Sequence, residues 1–446
     1  MSVMRGPRYD VAVIGGGPAG TTCAIRLAQF GFQVVLLDNG ERRRQHLGES
    51  IPSSSRVLFE TLGVEPPPDV VVARPPEHRV YWGSMEGPSS TGGEGSMLVW
   101  RGAFDAFLKS EAARTGVDVR EGAVRPVQIS ERSIHLEGTD VVAAVVVDAS
   151  GRSGLLARED REREGAFRTL AITAHFRGLE EDHTLVESFA DGWVWSAPLS
   201  NGLRDVTLMV DADRAAVRQY DELLARTTHA RAVAAQGERV DAPRGVDATP
   251  YHSRIFCGEN WFLVGDAGSF LDPLSAHGTH KAMDSALAAA AAIRTILERP
   301  ARTADACAFY DRRESEICRV TGERLRALYA QERRFAGSPF WEARSCSESE
   351  RDSAKAMRPM PPVGVQLRSA RGVEVIEAPV LENDFVERRE VLVAPSAERP
   401  VRFLGPFCLP AVYRRVVSGE VSDEDAPAVE WLFRHGYLDR ETEPRA

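Results

Sequence analysis

Apolar and polar positions alternate along the chain in two rhythms. Val11–Ile14 is an unbroken apolar run, Pro18–Phe30 repeats its apolar residues at helical spacing, and Gln33–Leu37 is a second run. Buried strand, helix and buried strand in succession predict a βαβ unit opening a doubly wound α/β domain. Two later runs suit the same parallel sheet: Val141–Asp148, and Trp261–Val264 followed by an alanine-rich helix to about Glu298. Between them, Thr169–Arg177, Thr184–Phe189, Gly192–Ala197 and Asp205–Val210 alternate with a period of two, as antiparallel strands with one solvated or ligand-facing side do. A helix is expected near Arg214–Ala230, and a long two-faced one over Ala304–Gln331.

The rhythm breaks near Arg344. Ser345–Pro362 is rich in Ser, Glu, Arg and Pro, which predicts a linker. Short strand-like runs follow at Val373–Ile376, Val391–Val393 and Val401–Leu404, then helices near Ala411–Val417 and Ala426–His435. The expected division is a discontinuous nucleotide-binding domain (1–78, 99–165, 246–340), an inserted antiparallel sheet (79–98, 166–245) and a small α+β C-terminal appendage (341–446).

Composition narrows the class. The 446 residues are 43% apolar and 27% charged, which excludes a disordered or collagen-like chain. A net charge of −10 argues against a generally basic, nucleic-acid-binding surface. The six cysteines are scattered, with neither C-x-x-C nor metal-ligand spacing, so no metal site is expected. No secretory pattern and no run near the roughly 18 apolar residues of a membrane span appear, so the expectation is a cytoplasmic protein with no membrane partner. Only Lys109, Lys281 and Lys355 are lysines, which leaves few candidates for amine chemistry; Lys109 is expected on a solvated helix face.

The first candidate chemistry sits between strand and helix. In Gly15-Gly16-Gly17-Pro18-Ala19-Gly20, Gly15 permits a tight turn, Gly17 lets the backbone approach a pyrophosphate, and Gly20 allows close helix–strand packing. The helix N-terminus offers N–H groups and partial positive charge to phosphates. Asp38 ends the second strand, where an acid binds a ribose hydroxyl pair.

A second element, Leu263-Val264-Gly265-Asp266-Ala267-Gly268 with Asp272-Pro273 and a helix opening at His277-Gly278, resembles the second flavin fingerprint of FAD-dependent hydroxylases and halogenases. Trp100-Arg101-Gly102-Ala103-Phe104-Asp105 and Asp148-Ala149-Ser150-Gly151-Arg152 fit the same family. The resemblance implies a Rossmann-type FAD-binding domain of the glutathione-reductase and aromatic-hydroxylase kind. It implies FAD held by Gly15, Gly17, Pro18, Ala19, Gly20, Asp38, Ser50, Arg101, Gly265, Asp266, Pro273 and Gly278.

Leu47-Gly48-Glu49-Ser50-Ile51-Pro52 looks like the G-E-S element of tryptophan halogenases, and Trp193-Val194-Trp195-Ser196-Ala197-Pro198 is similar to their W-x-W-x-I-P, with Ala197 for isoleucine. Those enzymes relay hypohalous acid through a lysine between the two elements. Here the corresponding Val71–Tyr81 carries Arg74, His78 and Arg79 and no lysine, and a guanidinium is a poor nucleophile. The runs Asp272–Gly278, Asp191–Leu199, Tyr329–Arg334 and Ser338–Trp341 resemble flavoproteins that hydroxylate a tryptophan of a partner polypeptide on the way to cysteine tryptophylquinone.

That resemblance implies a monooxygenase acting through a flavin C4a-hydroperoxide on an electron-rich ring, with halogenation or small-molecule aromatic hydroxylation as the alternative. Its partners would be dioxygen, NAD(P)H or a separate flavin reductase, and a polypeptide substrate. Proton-transfer candidates are Glu49, His277 and His280; Arg74, His78, Trp193, Trp195 and Pro198 would line the substrate pocket.

Overall fold

The computed structural model describes residues 8–40, 48–74, 77–83, 96–122, 141–179, 182–199, 202–345, 367–395, 400–420 and 422–440, and the backbone of 89–92, 127–130 and 133–136. The expected linker lies almost wholly outside the described residues, as do Leu47 and Lys355.

A seven-stranded sheet forms the first layer. Arg8–Ile14 pairs in parallel with Val34–Asp38 on one side and Val142–Asp148 on the other; Asp118–Glu121 extends the first edge and Trp261–Leu263 pairs with Val142–Asp148. The chain thus runs outward from the first strand, then crosses to its other side, so strand order reverses between Arg8–Ile14 and Val142–Asp148. Val11, Val13, Val34 and Leu36 are almost fully buried in a core shared with the helices Pro18–Gln29 and Gly278–Glu298. Burial on both faces explains their continuous apolar runs.

The alternating segments form an eight-stranded sheet, in the order Glu238–Arg239, Thr169–Arg177, Leu203–Asp211, Gly192–Pro198, Thr184–Phe189, Glu77–Tyr81, Ser89–Gly92, with Arg244–Asp247 also on Thr169–Arg177. One face carries Ile172, Ala174, Val194, Val206, Leu208 and Val210 against two short helices. Those helices, Tyr220–Leu224 and His229–Ala234, replace the single helix expected near Arg214–Ala230. The break has a cause: the buried Glu187 carboxylate accepts from the N–H groups of Thr228, His229 and Ala230 at 2.6–3.0 Å, starting a new helix there. Strand Met97–Trp100 falls outside this sheet; it pairs with Gly48–Ile51 and Val71–Ala73.

In the C-terminal region, two expected short runs are the halves of one hairpin, Glu374–Glu382 and Phe385–Val393. Asn383 and Asp384 both adopt left-handed backbone (φ 51° and 61°), as the tightest hairpin turn requires. The hairpin is fastened to the helices of the first layer. Val386 N–H donates to Thr295 Oγ1 at 2.9 Å, Arg26 pairs with Asp384 at 2.8 Å, and the Phe385 ring lies under the Arg294 and Arg299 guanidiniums. Beyond it, helices Leu409–Ser418 and Ala426–Arg434 share a separate core around Leu409, Val412, Leu432 and Tyr437.

Candidate active site

The glycine turn is built as its chemistry requires. Gly15 has φ +111°, and a Cβ there would meet the Ala149 carbonyl oxygen at 2.3 Å; one on Gly20 would meet the Gly15 oxygen at 1.9 Å. Gly17 precedes a helix with no side-chain cap, Pro18 occupies its first turn, and Ala19 is buried. Gly265 (φ +65°) packs directly on Ala19, so the second glycine element closes on the first helix. The helix beginning at Gly278 also lacks a side-chain cap, and space opens beside Gly278. Two uncapped helix N-termini, a carboxylate at Asp38 and backbone cradles that exclude side chains fit a dinucleotide with a pyrophosphate and a second, electron-rich end.

Asp38 is not alone. The Lys109 ammonium lies 2.8 Å from its Oδ2, and both pack over Gly16, where a Cβ would come within 2.7 Å of the carboxylate and 2.9 Å of Lys109 Cδ. Lys109 is therefore a partner of the Asp38 carboxylate rather than a solvated face residue.

Glu49 and Arg101 link three elements at the other end. Glu49 accepts from Thr279 Oγ1 at 3.0 Å and from Arg101 Nη1 at 3.2 Å, and Arg101 also pairs with Asp105. Burial works against the Arg101 charge, but Asp105, Glu49 and Asp266 outweigh it and hold its pKa above the ordinary value. Ser50 continues the same strand, half-buried. Asp272 and Pro273 open a short turn that ends at Ala276 in left-handed backbone (φ 52°), a strained non-glycine conformation just before the helix. His277 lies exposed at the helix entry. His280 faces the hydroxyls of Ser55 (3.2 Å) and Ser54 (3.4 Å), with its ring 5.8 Å from that of His277. Burial lowers the His280 pKa, which favours the neutral imidazole.

The expected pocket residues separate. With a strand period of two, Trp193, Trp195 and Ala197 share the face that also carries Thr173, His175, Asp205 and Thr207, while Pro198 falls on the opposite face with Val194 and Ser196. Trp193 is only 3% exposed: it lies in an aromatic core with Trp82, Tyr329, Phe340 and Trp341, so it is no open pocket wall; Trp195 is half-buried. The Trp193 indole N–H donates to the Tyr329 hydroxyl at 3.2 Å, which donates to Asp272 Oδ2 at 3.0 Å. Burial raises the Asp272 pKa, against the pull of Leu274 N–H, Tyr329 and Arg344. His78 is held by the hydroxyls of Thr184 and Ser96, and Arg74 is exposed at the end of Val71–Ala73.

At the far end of the same face, His175 Nδ1 donates to the Asp241 carboxylate (2.8 Å), with Nε2 3.7 Å from Asp205. Burial lifts Asp205 to about 6, against Thr207 and His175. A cavity of about 230 Å³ opens beside it, lined by Trp100, His175, Leu203, Val240, Asp241 and Arg244. The contacts themselves, Lys109 to Asp38, Thr279 to Glu49 and Tyr329 to Asp272, leave no local signal, because each spans more than fifty positions.

A mostly parallel sheet with two uncapped helix N-termini, joined to an antiparallel sheet, is the frame of a dinucleotide-binding flavoprotein. The sequence profile described as tryptophan halogenase matches residues 99–364, and that of the pyridine nucleotide-disulphide oxidoreductases matches residues 9–85. The chain belongs to the tryptophan halogenase family, and its cofactor is FAD. It is 31% identical over 345 residues to a tryptophan 2-halogenase of Chondromyces crocatus, covering 68% of this chain but 64% of that protein. Among solved structures, the flavin-dependent halogenase CmlS shares the fold (TM-score 0.80, 24% identity, 98% of this chain and 96% of that one). The peptidyl tryptophan dihydroxylase QhpG, described as essential for tryptophylquinone cofactor biogenesis, matches with a TM-score of 0.76 and 26% identity over 96% of this chain and 100% of that one. Among the described residues, no helix is long and apolar enough to cross a membrane.

Proposed function

We propose that the protein is an FAD-dependent monooxygenase that hydroxylates a tryptophan side chain of a peptide or protein during quinone-cofactor biogenesis. The carrying observation is the engagement of its lysines. No lysine precedes Lys109. The Lys109 amine is paired with Asp38, and the Lys281 amine, buried, donates to the carbonyls of Gly265 and Ser269 at 2.8 Å each. Neither described amine is free to carry a halogen to a substrate ring. The end-to-end match to a peptidyl tryptophan dihydroxylase supports the same reading.

In this reading Gly15, Gly17, Pro18, Ala19, Gly20, Asp38, Ser50, Arg101, Gly265, Asp266, Pro273 and Gly278 hold FAD. The chemistry supplied by the bound cofactor is two-electron activation of dioxygen, with electrons from NAD(P)H directly or through a reductase. The chain's own residues do the rest. Glu49 and Arg101 tie the strand Gly48–Ile51 to the helix entry at Thr279, fixing one wall. The face bearing Trp195 orients the substrate ring and excludes water. Glu49, His277 and His280 are the proton-transfer candidates, and burial favours the neutral form of His280.

A second reading, halogenation, is favoured by the 31% identity to a tryptophan 2-halogenase and by the paired tryptophans of Gly192–Pro198. Incubating the protein with FAD, a reductant, oxygen, chloride, bromide and a tryptophan-containing peptide separates the two. A product heavier by oxygen is the expected result. Replacement of hydrogen by halogen would overturn the proposal.

A further inference from the structure

The segment between strands Tyr251–Ser253 and Trp261–Leu263 lies against the first turns of the helix Thr303–Tyr329, and two cysteines meet there. The Cys257 thiol reaches the Cys307 carbonyl at 3.4 Å, and the Cys307 thiol reaches the Gly258 carbonyl at 3.5 Å. Each sulfur therefore lies on the other's stretch of backbone. Neighbouring contacts hold them in place: Phe256 N–H donates to Asp311 at 2.8 Å, and the Tyr310 hydroxyl donates to the Leu263 carbonyl at 2.8 Å. Nothing in the proposed reaction uses this pair.

We propose that Cys257 and Cys307 are an oxidation site, closing to an intramolecular disulfide when the native protein meets hydrogen peroxide. The two thiols differ in a way that assigns their roles. The neighbouring Cys257 thiol lowers the Cys307 pKa despite burial, whereas Cys307 and then burial raise that of Cys257. Cys23 is fully buried and pushed up to about 12, and burial also raises Cys318. Cys307, half-buried and with the more acidic thiol, is the nucleophile; Cys257, 6% exposed behind it, resolves.

The Cys307 thiolate attacks one peroxide oxygen. The O–O bond breaks and the departing hydroxide leaves as water, giving a sulfenic acid. The Cys257 sulfur then displaces the hydroxyl from Cys307; the S–O bond breaks, the S–S bond forms, and a second water carries off the Cys257 proton. Two thiols lose two electrons and two hydrogens to one peroxide. The bond joins positions on either side of the second glycine element and the helix Gly278–Glu298, so it constrains the unfolded chain across a long loop.

The test treats the FAD-loaded protein with equimolar hydrogen peroxide, quenches, alkylates and digests with trypsin. Cleavage after Arg254, Lys281, Arg302 and Arg312 puts each cysteine alone in its own peptide. Expected are a Cys257–Cys307-linked peptide lacking two hydrogens, and a raised thermal midpoint that dithiothreitol reverses. Cys257→Ser and Cys307→Ser, each first shown folded by its own melting transition, should both lose the linked peptide and the rise. Full alkylation of both cysteines after peroxide, or conversion of Cys307 to sulfinic acid without the link, would overturn the assignment.

Discussion

The indole N–H of Trp193 donates to the Tyr329 hydroxyl, and that hydroxyl donates onward to Asp272. A strand of the inserted sheet is thereby joined, through one residue at the end of the long helix, to the turn that precedes the Gly278 helix. Geometry on either side of the site is set by one chain of hydrogen bonds.

Tyr329→Phe removes the donor from a buried carboxylate whose folded pKa already stands above its ordinary 3.8. A carboxyl raised on folding contributes stability that is full below its unfolded pKa and is lost as pH rises through the folded value. Loss of Tyr329 raises that value further. The variant should therefore be destabilised by about 1–2 kcal/mol near pH 7 and by less near pH 4. Urea denaturation at the two pH values measures this, and an equal cost at both would count against the bond.

Lys109→Met leaves Asp38 without its cation, while the carboxylate itself remains. The pair is partly buried, and a coupling of about 1 kcal/mol corresponds to roughly five-fold weaker FAD binding. Titration followed by flavin fluorescence reads it directly. Unchanged affinity would mean that Lys109 neither orients Asp38 nor meets the cofactor.

Asp205 is lifted to about 6 by burial beside His175 and Asp241. Its contribution to stability is present below about 3.8 and lost as pH rises through about 6. Asp205→Asn removes that titration, so the variant's stability should decline less than the parent's between about pH 4 and 7. Parallel pH profiles of the two proteins in chemical denaturation would refute it.

Local pattern carried much of the architecture. The continuous apolar runs at Val11–Ile14 and Val34–Leu37 marked strands buried on both faces, and the alternation from Thr169 to Val210 marked a sheet with two unlike faces. The glycine turn was legible because its constraint is local: φ at Gly15 and the space at Gly20 depend on atoms a few residues away or on the adjoining strand. The long hairpin at Glu374–Val393 was read only in part, since its central register depends on a two-residue turn in left-handed backbone.

The amino-acid order by itself thus determined the two sheets, the nucleotide cradle and the scarcity of lysine. It left open what each polar side chain meets, because a contact between residues hundreds of positions apart leaves no periodic trace. Folding alone placed Lys109 on Asp38, Thr279 and Arg101 on Glu49, and Lys281 on backbone carbonyls. It also turned Trp193 into an aromatic core. A buried polar group must find a partner from whatever element packs against it, and that neighbour is chosen by the tertiary structure.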